Sequence, residues 1–205
     1  MATTAFQYVF DNATSISINK RPVSTQTISR DLTVRTLLIG YRKWRFDVRL
    51  PDGLPWDKAR PYIEGIERAD RATAATVSMN NAGYNSWFMN YQGSASTTAG
   101  FVVTATNGIR ALTITACPTM TSGYAFKAGD LIQLGSGSVY TVELDVPYNA
   151  TTFNVSRIVV DPSGSYNLTV GPACTFNVIC TVMPQWTIFA RNQVAWSGPF
   201  SFMEY

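Results

Sequence analysis

The chain has 205 residues, of which 46% are hydrophobic and only 14% charged, with a formal net charge of +3 and no histidine. This length and apolar content suffice for one large or two small cores and exclude a disordered chain, while the missing histidine excludes Ser-His-Asp and Cys-His catalysis and histidine-based metal sites. No basic run exceeds the pairs Lys20-Arg21 and Arg42-Lys43, so the nucleic-acid footprint is missing too. Twelve of the sixteen basic and eight of the thirteen acidic residues fall in positions 1–71, and between Arg71 and Asp130 only Arg110 and Lys127 carry charge. Such a stretch suits burial against neighbours or a neutral surface that tolerates contact.

In chain order, the first forty residues read as loosely patterned strands, with apolar positions at Phe6, Tyr8 and Phe10, at Ile16 and Ile18, at Leu32 and Val34, and at Leu37–Ile39. The segment "KWRFDVRL" then alternates without a fault, placing Trp44, Phe46, Val48 and Leu50 on one face and Lys43, Arg45, Asp47 and Arg49 on the other. It stops at the turn signal "PDGLP". One short helix follows over about 61–72, with Pro61 at its first position and Tyr62, Ile63, Ile66 and Ala69 on a single face. Glu64 and Glu67 could be read as a carboxylate pair for acid–base work. Their partners Arg68 and Arg71 at i+4 favour an exposed, charge-compensated face.

Beyond it, "TAATVSMNNAGYNSWFMNYQ" predicts a short strand, a turn and an aromatic cluster of Tyr84, Trp87, Phe88 and Tyr91, and "GSASTTAG" predicts a small-residue loop. From Phe101 onward the pattern is strand and turn. "ALTITA" alternates, and "FKAGDLIQLGSGSVYTVELDV" predicts a hairpin hinged at Gly135-Ser-Gly-Ser. Its second arm would place Tyr140, Val142, Leu144 and Val146 on one face and Thr141, Glu143 and Asp145 on the other, before "PYNATT" leads into "FNVSRIVV". "TFNVICTV" puts Phe176, Val178, Cys180 and Val182 on one face, and Pro184 breaks that run. "QWTIFARNQVAW" and "PFSFMEY" read as two last strands.

Few residues carry chemistry. Lys58 and Lys127 lie beside loop signals and not in apolar runs that would lower a lysine pKa, and "GSGS" lacks the lysine and helix of a phosphate loop. Two scattered acids would suffice for a glycosidase, but Asp130, after Gly129, suits hydrogen bonding to its own turn. No catalytic, cofactor-binding or metal-ligating residue is assigned, and the chain reads as a non-enzyme without cofactors. Cys117, Cys174 and Cys180 form no disulfide framework; the shared parity of the last two would hold them too far apart, so all three are expected free. With no leader-like N-terminus and no run of 18 apolar residues, the chain is expected to be soluble, made in a cytoplasm and not inserted in a membrane, and the sequons at Asn12, Asn149, Asn154 and Asn167 read as chance products of a Thr/Asn-rich composition. Tyr84, Trp87 and Tyr91 among Asn and Gln could stack sugars, or be core or subunit-interface residues, and Trp44, Trp186 and Trp196 in clean strand patterns read as core or subunit-interface residues.

The order of parts, with the strand "YRKWRFDVRL", a short helix, a β insert around "FKAGDLIQLGSGSVYTV" and a return to "WSGPFSFMEY", resembles the distal tail and tail-hub proteins of long-tailed phages. The resemblance covers most of residues 40–205. It implies a mainly β fold, a tail-tube-like β-sandwich with one short α-helix plus an inserted small β-barrel. Residues 1–92 and 184–205 would build a ring-forming domain and 101–183 the insert. It further implies a hexameric ring in the virion tail, assembled in the host bacterial cytoplasm. Its partners would be the tail tube, the tip or hub and fibres, with DNA only as passing cargo. A head–tail connector, a capsid decoration protein and a carbohydrate-binding module for host recognition are the alternatives.

Overall fold

In a computed structural model of the chain, residues 5–20, 24–28, 34–38, 43–69, 72–79, 88–189 and 192–205 are described, with the backbone alone for 24–28 and 34–38. The fold is mainly β and falls into two compact units. Unit 1 joins Met1–Ala75 to Asn177–Tyr205, and unit 2 is Thr76–Phe176. The division lies earlier at both crossings than the expected limits of 92 and 184, for reasons visible in the hydrogen bonding below.

Helix α1 (Ala5–Asp11) replaces the first predicted strand. Phe6, Val9 and Phe10 are its buried residues, at i, i+3 and i+4, so the same phenylalanines that suggested alternation serve a helical stripe. Tyr8 stacks on Tyr62, with centroids 3.9 Å apart and planes 7° apart. Asn12 closes the helix by donating its side-chain amide to the Tyr8 carbonyl at 2.9 Å. The chain continues through β1 (Ser15–Asn19), β2 (Ser24–Ile28), β3 (Val34–Leu38) and β4 (Arg45–Arg49). Strands β2 and β3 pair antiparallel with each other; the predicted apolar positions Leu32 and Ile39 lie outside the described residues. In β4 the alternation is as predicted, with Trp44, Phe46, Val48 and Leu50 buried and Lys43, Arg45, Asp47 and Arg49 exposed.

After the turn at Gly53 and the short β5 (Leu54–Pro55) comes α2 (Trp56–Ala69), which starts five residues before the predicted helix. Pro61 therefore sits inside it and not at its first position, where it removes one backbone donor. Ile63 and Ile66 are buried as expected, Tyr62 and Ala69 are half-buried, and Ala59 joins the stripe from the added turn. Gly65 marks the approach of α1: a Cβ there would lie 2.9 Å from that of Ala5. Glu64, Glu67 and Arg68 are exposed, while Arg71 lies outside the described residues. The chain leaves unit 1 within β6 (Ala75–Val77).

Unit 2 contains β7 (Val102–Ala105), β8 (Ala111–Ala116), β9 (Tyr124–Phe126), β10 (Leu131–Leu134), β11 (Val139–Thr141), β12 (Val146–Pro147), β13 (Thr152–Asn154) and β14 (Gly164–Val170). Six of these form an antiparallel sheet in the order β11-β10-β14-β7-β8-β13, and β12 pairs with β9. The six-stranded sheet curls into a half-barrel. Its two end strands meet where Val142 bridges Val155, flanked by Ser156 N–H to Thr141 O at 2.9 Å and Glu143 N–H to Asn154 O at 3.0 Å. The hairpin of β10 and β11 turns at Gly135 as predicted, with Ile132 opposite Tyr140. Both arms are buried on both faces, because the curl covers the side that an open sheet would leave wet. Regular pairing of the second arm ends at Thr141, so Leu144 does not reach the core face and is 70% exposed. Phe101, Phe126, Tyr140, Phe153 and Val155 are among the residues of the core inside.

A 3₁₀ turn (Gly171–Ala173) leads into β15 (Phe176–Val182), which belongs to unit 1 because it pairs with the last strand. This pairing moves the second boundary from 184 to 176. Phe176, Val178 and Cys180 are buried as predicted, but the register shifts between Cys180 and Val182 and leaves Val182 51% exposed. Three strands follow where two were expected: β16 (Trp186–Phe189), β17 (Gln193–Trp196) and β18 (Phe200–Glu204). The main sheet of unit 1 runs β1-β4-β18-β15, and a smaller one runs β16-β17-β5. Trp44 is core, and Trp186 and Trp196 are half-buried against Ala59, Ile63 and Val194. Among the described residues, no helix is long and apolar enough to cross a membrane.

Burial of the α2 stripe is testable in its own right. Ile66→Ala should cost roughly 2–5 kcal/mol in chemical denaturation, and Glu67→Ala below about 1 kcal/mol; equal effects would contradict the buried face.

Candidate functional site

The densest polar construction lies where the chain enters unit 2. Asp130 is fully buried, and its carboxylate accepts the backbone N–H of Lys127 at 2.8 Å and that of Gln92 at 2.9 Å. The predicted bond to its own turn is present, and a second bond fastens the incoming segment. That segment is stitched further. Tyr91 donates its hydroxyl to the Ala125 carbonyl at 2.5 Å and sets its ring edge-on to Phe126, and Ser94 N–H donates to the Tyr124 carbonyl at 2.8 Å. Residues 91–94 thus belong to the half-barrel and not to unit 1, which is why the expected boundary at 92 falls too late. Burial raises the Asp130 pKa, against the lowering effect of the N–H groups of Lys127, Gln92 and Gly93.

A second construction holds the loop after β13. Tyr140 donates to Asp161 at 2.6 Å and accepts from Val160 N–H at 3.0 Å, with Arg157 over its ring and donating to the Val139 carbonyl at 3.0 Å. Burial, followed by the bond to Asp161, pushes the Tyr140 hydroxyl up to about 12. Sequence periodicity places Tyr140 in the core but gives no sign of Asp161 or Arg157 as partners, since both arrive from an irregular loop. Tyr140 and Asp161 bond each other and the backbone of the loop, and Arg157 fastens it through one guanidinium nitrogen while its Nε is buried without a hydrogen-bond partner, so the cluster locks a loop.

The remaining predicted residues scatter. Lys127 pairs with Asp145 at 3.0 Å and lies over the Tyr124 ring, and the Ala128 N–H and Lys127 hold the Asp145 carboxyl below its ordinary range. Lys58, Glu64 and Glu67 are exposed on α2. Tyr84 and Trp87 lie outside the described residues, and Tyr91 is half-buried with its hydroxyl tied to the Ala125 carbonyl. None of the three cysteines is in a disulfide; Cys117 is exposed, and burial pushes the Cys174 thiol up to about 12 while it donates to the Thr169 carbonyl. Such a thiol is unreactive. An open groove of about 350 Å3 on the outer face of the main sheet of unit 1 is lined by Asn19, Arg45, Asp47, Thr181 and Ser201, where Ser201 donates to Asp47 at 2.6 Å and Thr181 to the Ser201 carbonyl. Among the described residues, no three of His, Cys, Asp and Glu are grouped as a metal site requires. No family model matches the chain, and no curated protein is similar to it.

The Asp130 geometry carries a pH signature. Its folded pKa stands above the ordinary carboxyl value of 3.8, so the carboxyl holds a proton in the folded protein at pH values where the unfolded chain has lost it. The resulting stabilisation is full below the unfolded pKa and is lost as pH rises through the folded one. The stability difference between the native chain and Asp130→Asn should therefore shift toward the native chain as pH is lowered from 7 to 4. A shift the other way, measured by denaturant titration at each pH, would mean that the backbone bonds outweigh burial.

Proposed function

We propose that this chain is a structural component of a phage tail, a ring-forming distal tail or hub adaptor that joins the tail tube to the tip or baseplate. The observation that carries the proposal is the charge economy of unit 2. Its 101 positions, Thr76–Phe176, hold seven charged residues, three basic and four acidic, for a net charge of −1. Arg110 pairs with Glu143 at 2.7 Å and Lys127 with Asp145, Asp130 is buried on backbone N–H groups, Asp161 accepts from Tyr140 and Ser138, and Arg157 is buried at the Val139 carbonyl. Every charge is engaged within the unit, which leaves a neutral β surface of the kind that packs against neighbouring subunits with little desolvation cost.

The plan of the chain supports the same reading. Unit 1 is interrupted by unit 2 and completed by β18, so one β body carries a second as an insert, as the resemblance to tail-hub proteins implies. The role is then positional: copies meet through heterologous contacts that close into a ring around an axial passage. The polar clusters hold loops in place. Nothing in the geometry of Tyr91 favours the sugar-binding alternative.

Purified protein should run as a six-copy assembly by light scattering and show an annulus in negative stain. A monomer at tens of micromolar with no annulus would contradict an autonomous ring.

A further inference from the structure

Among the described residues, the hairpin of β16 and β17 leaves one edge without a strand. In the order β16-β17-β5, β16 is terminal. Which of its backbone groups face outward follows from the bonds of its neighbour. Ser197 N–H donates to the Gln185 carbonyl, toward β16, whereas Trp196 N–H donates to Asp52 and the Val194 carbonyl accepts from Gly53, both away from it. Antiparallel pairing alternates, and Trp186 opposes Trp196 while Ile188 opposes Val194. The N–H and C=O groups of Trp186 and Ile188 therefore point to the open edge, where no backbone bond from another described residue meets them. Thr187 lies between them, exposed, and Ile188 and Phe189 are 48% and 44% exposed.

We infer that this edge is a docking surface for the same strand of a second copy, in antiparallel two-fold pairing centred on Thr187. Two features identify the occupant. In-line pairs of N–H and C=O groups are matched only by an extended strand, and Trp186–Phe189 carries no charge that its own duplicate would repel. The alternation fixes the register. Outward-facing residues must meet outward-facing residues, so Trp186 of one copy exchanges both backbone bonds with Ile188 of the other, and the symmetric pair does the same. Thr187 then faces Thr187 at a non-hydrogen-bonded position. A two-fold contact joins copies in pairs and cannot by itself close a ring, so this interface is separate from the ring contacts and would relate subunits of two facing rings.

Opposed Cα atoms at a non-hydrogen-bonded position lie about 4.5 Å apart, within the range of a disulfide. In a Cys117→Ser background, Thr187→Cys treated with diamide should give a reducible dimer. At micromolar protein it should form roughly a hundredfold faster than from the exposed control Ser122→Cys, since paired thiols meet at millimolar effective concentration. Equal rates at the two positions would overturn the inference, and would leave any ring seen by light scattering untouched. A fast Thr187→Cys dimer in a protein that makes no ring would keep this contact and remove the ring. Thr187→Asp, which opposes two carboxylates across the axis, should abolish the pairing in the native chain; unchanged pairing would also overturn it.

Discussion

The pairing of β18 between β4 and β15 is the constraint on which unit 1 depends. Phe202 lies opposite Phe46 on one side and Cys180 on the other, and the ladder extends through Phe46 to Ile18 of β1. Phe6 and Phe10 of α1 close over this row, with their ring centroids 5.3 and 5.1 Å from that of Phe202. The last strand of the chain therefore supplies the centre of a sheet whose other strands come from both sides of the insert. Without it β1 and β4 would form a two-stranded ribbon, which has too little apolar face to persist in water. The sheet can form only after unit 2 has been made, and the insert must return the chain to the position where β15 can begin.

The two units carry their charge differently. Unit 1 keeps an alternating strand in β4, with Arg45, Asp47 and Arg49 outward, so its main sheet has a wet face and a dry face. Unit 2 curls until β10 and β11 are covered on both sides and engages its few charges internally. Its polar atoms act as fasteners: Asp130 ties the entering segment to the β9–β10 turn, and Asp161 with Tyr140 ties the loop before β14. Chemistry of this kind rigidifies a scaffold. A surface with few uncompensated charges is well suited to repeated contacts, which connects the energetics of the insert to the proposed role as an assembly part.

How far the sequence revealed this architecture depended on whether one periodicity had a single physical interpretation. In "KWRFDVRL" it did, and all four inward residues are buried. Phe6 and Phe10 are compatible with both period 2 and period 3.6, and contact with α2 decided for the helix. Pro61 suggested a helix start, but the N–H of Trp56 finds a partner in the Asn192 carbonyl far along the chain, which allows an extra turn. Leu144 and Val182 broke alternation because a strand end and a bulge reset the register. The turn role of Asp130 was legible because its partner is local; its grip on Gln92, and the approach of Asp161 to Tyr140, come from tertiary closure that no local pattern encodes.

The dependence of unit 1 on β18 is tested most directly by hydrogen exchange on Phe202→Ala. Removing a ring that is 1% exposed should cost about 3–5 kcal/mol, a large part of the stability of a small domain. Amides of β1, β4, β15 and β18 should then exchange much faster together, while those of β7, β10 and β14 keep their native protection. Equal loss of protection in both units, or unchanged protection in β1 and β4, would contradict the account.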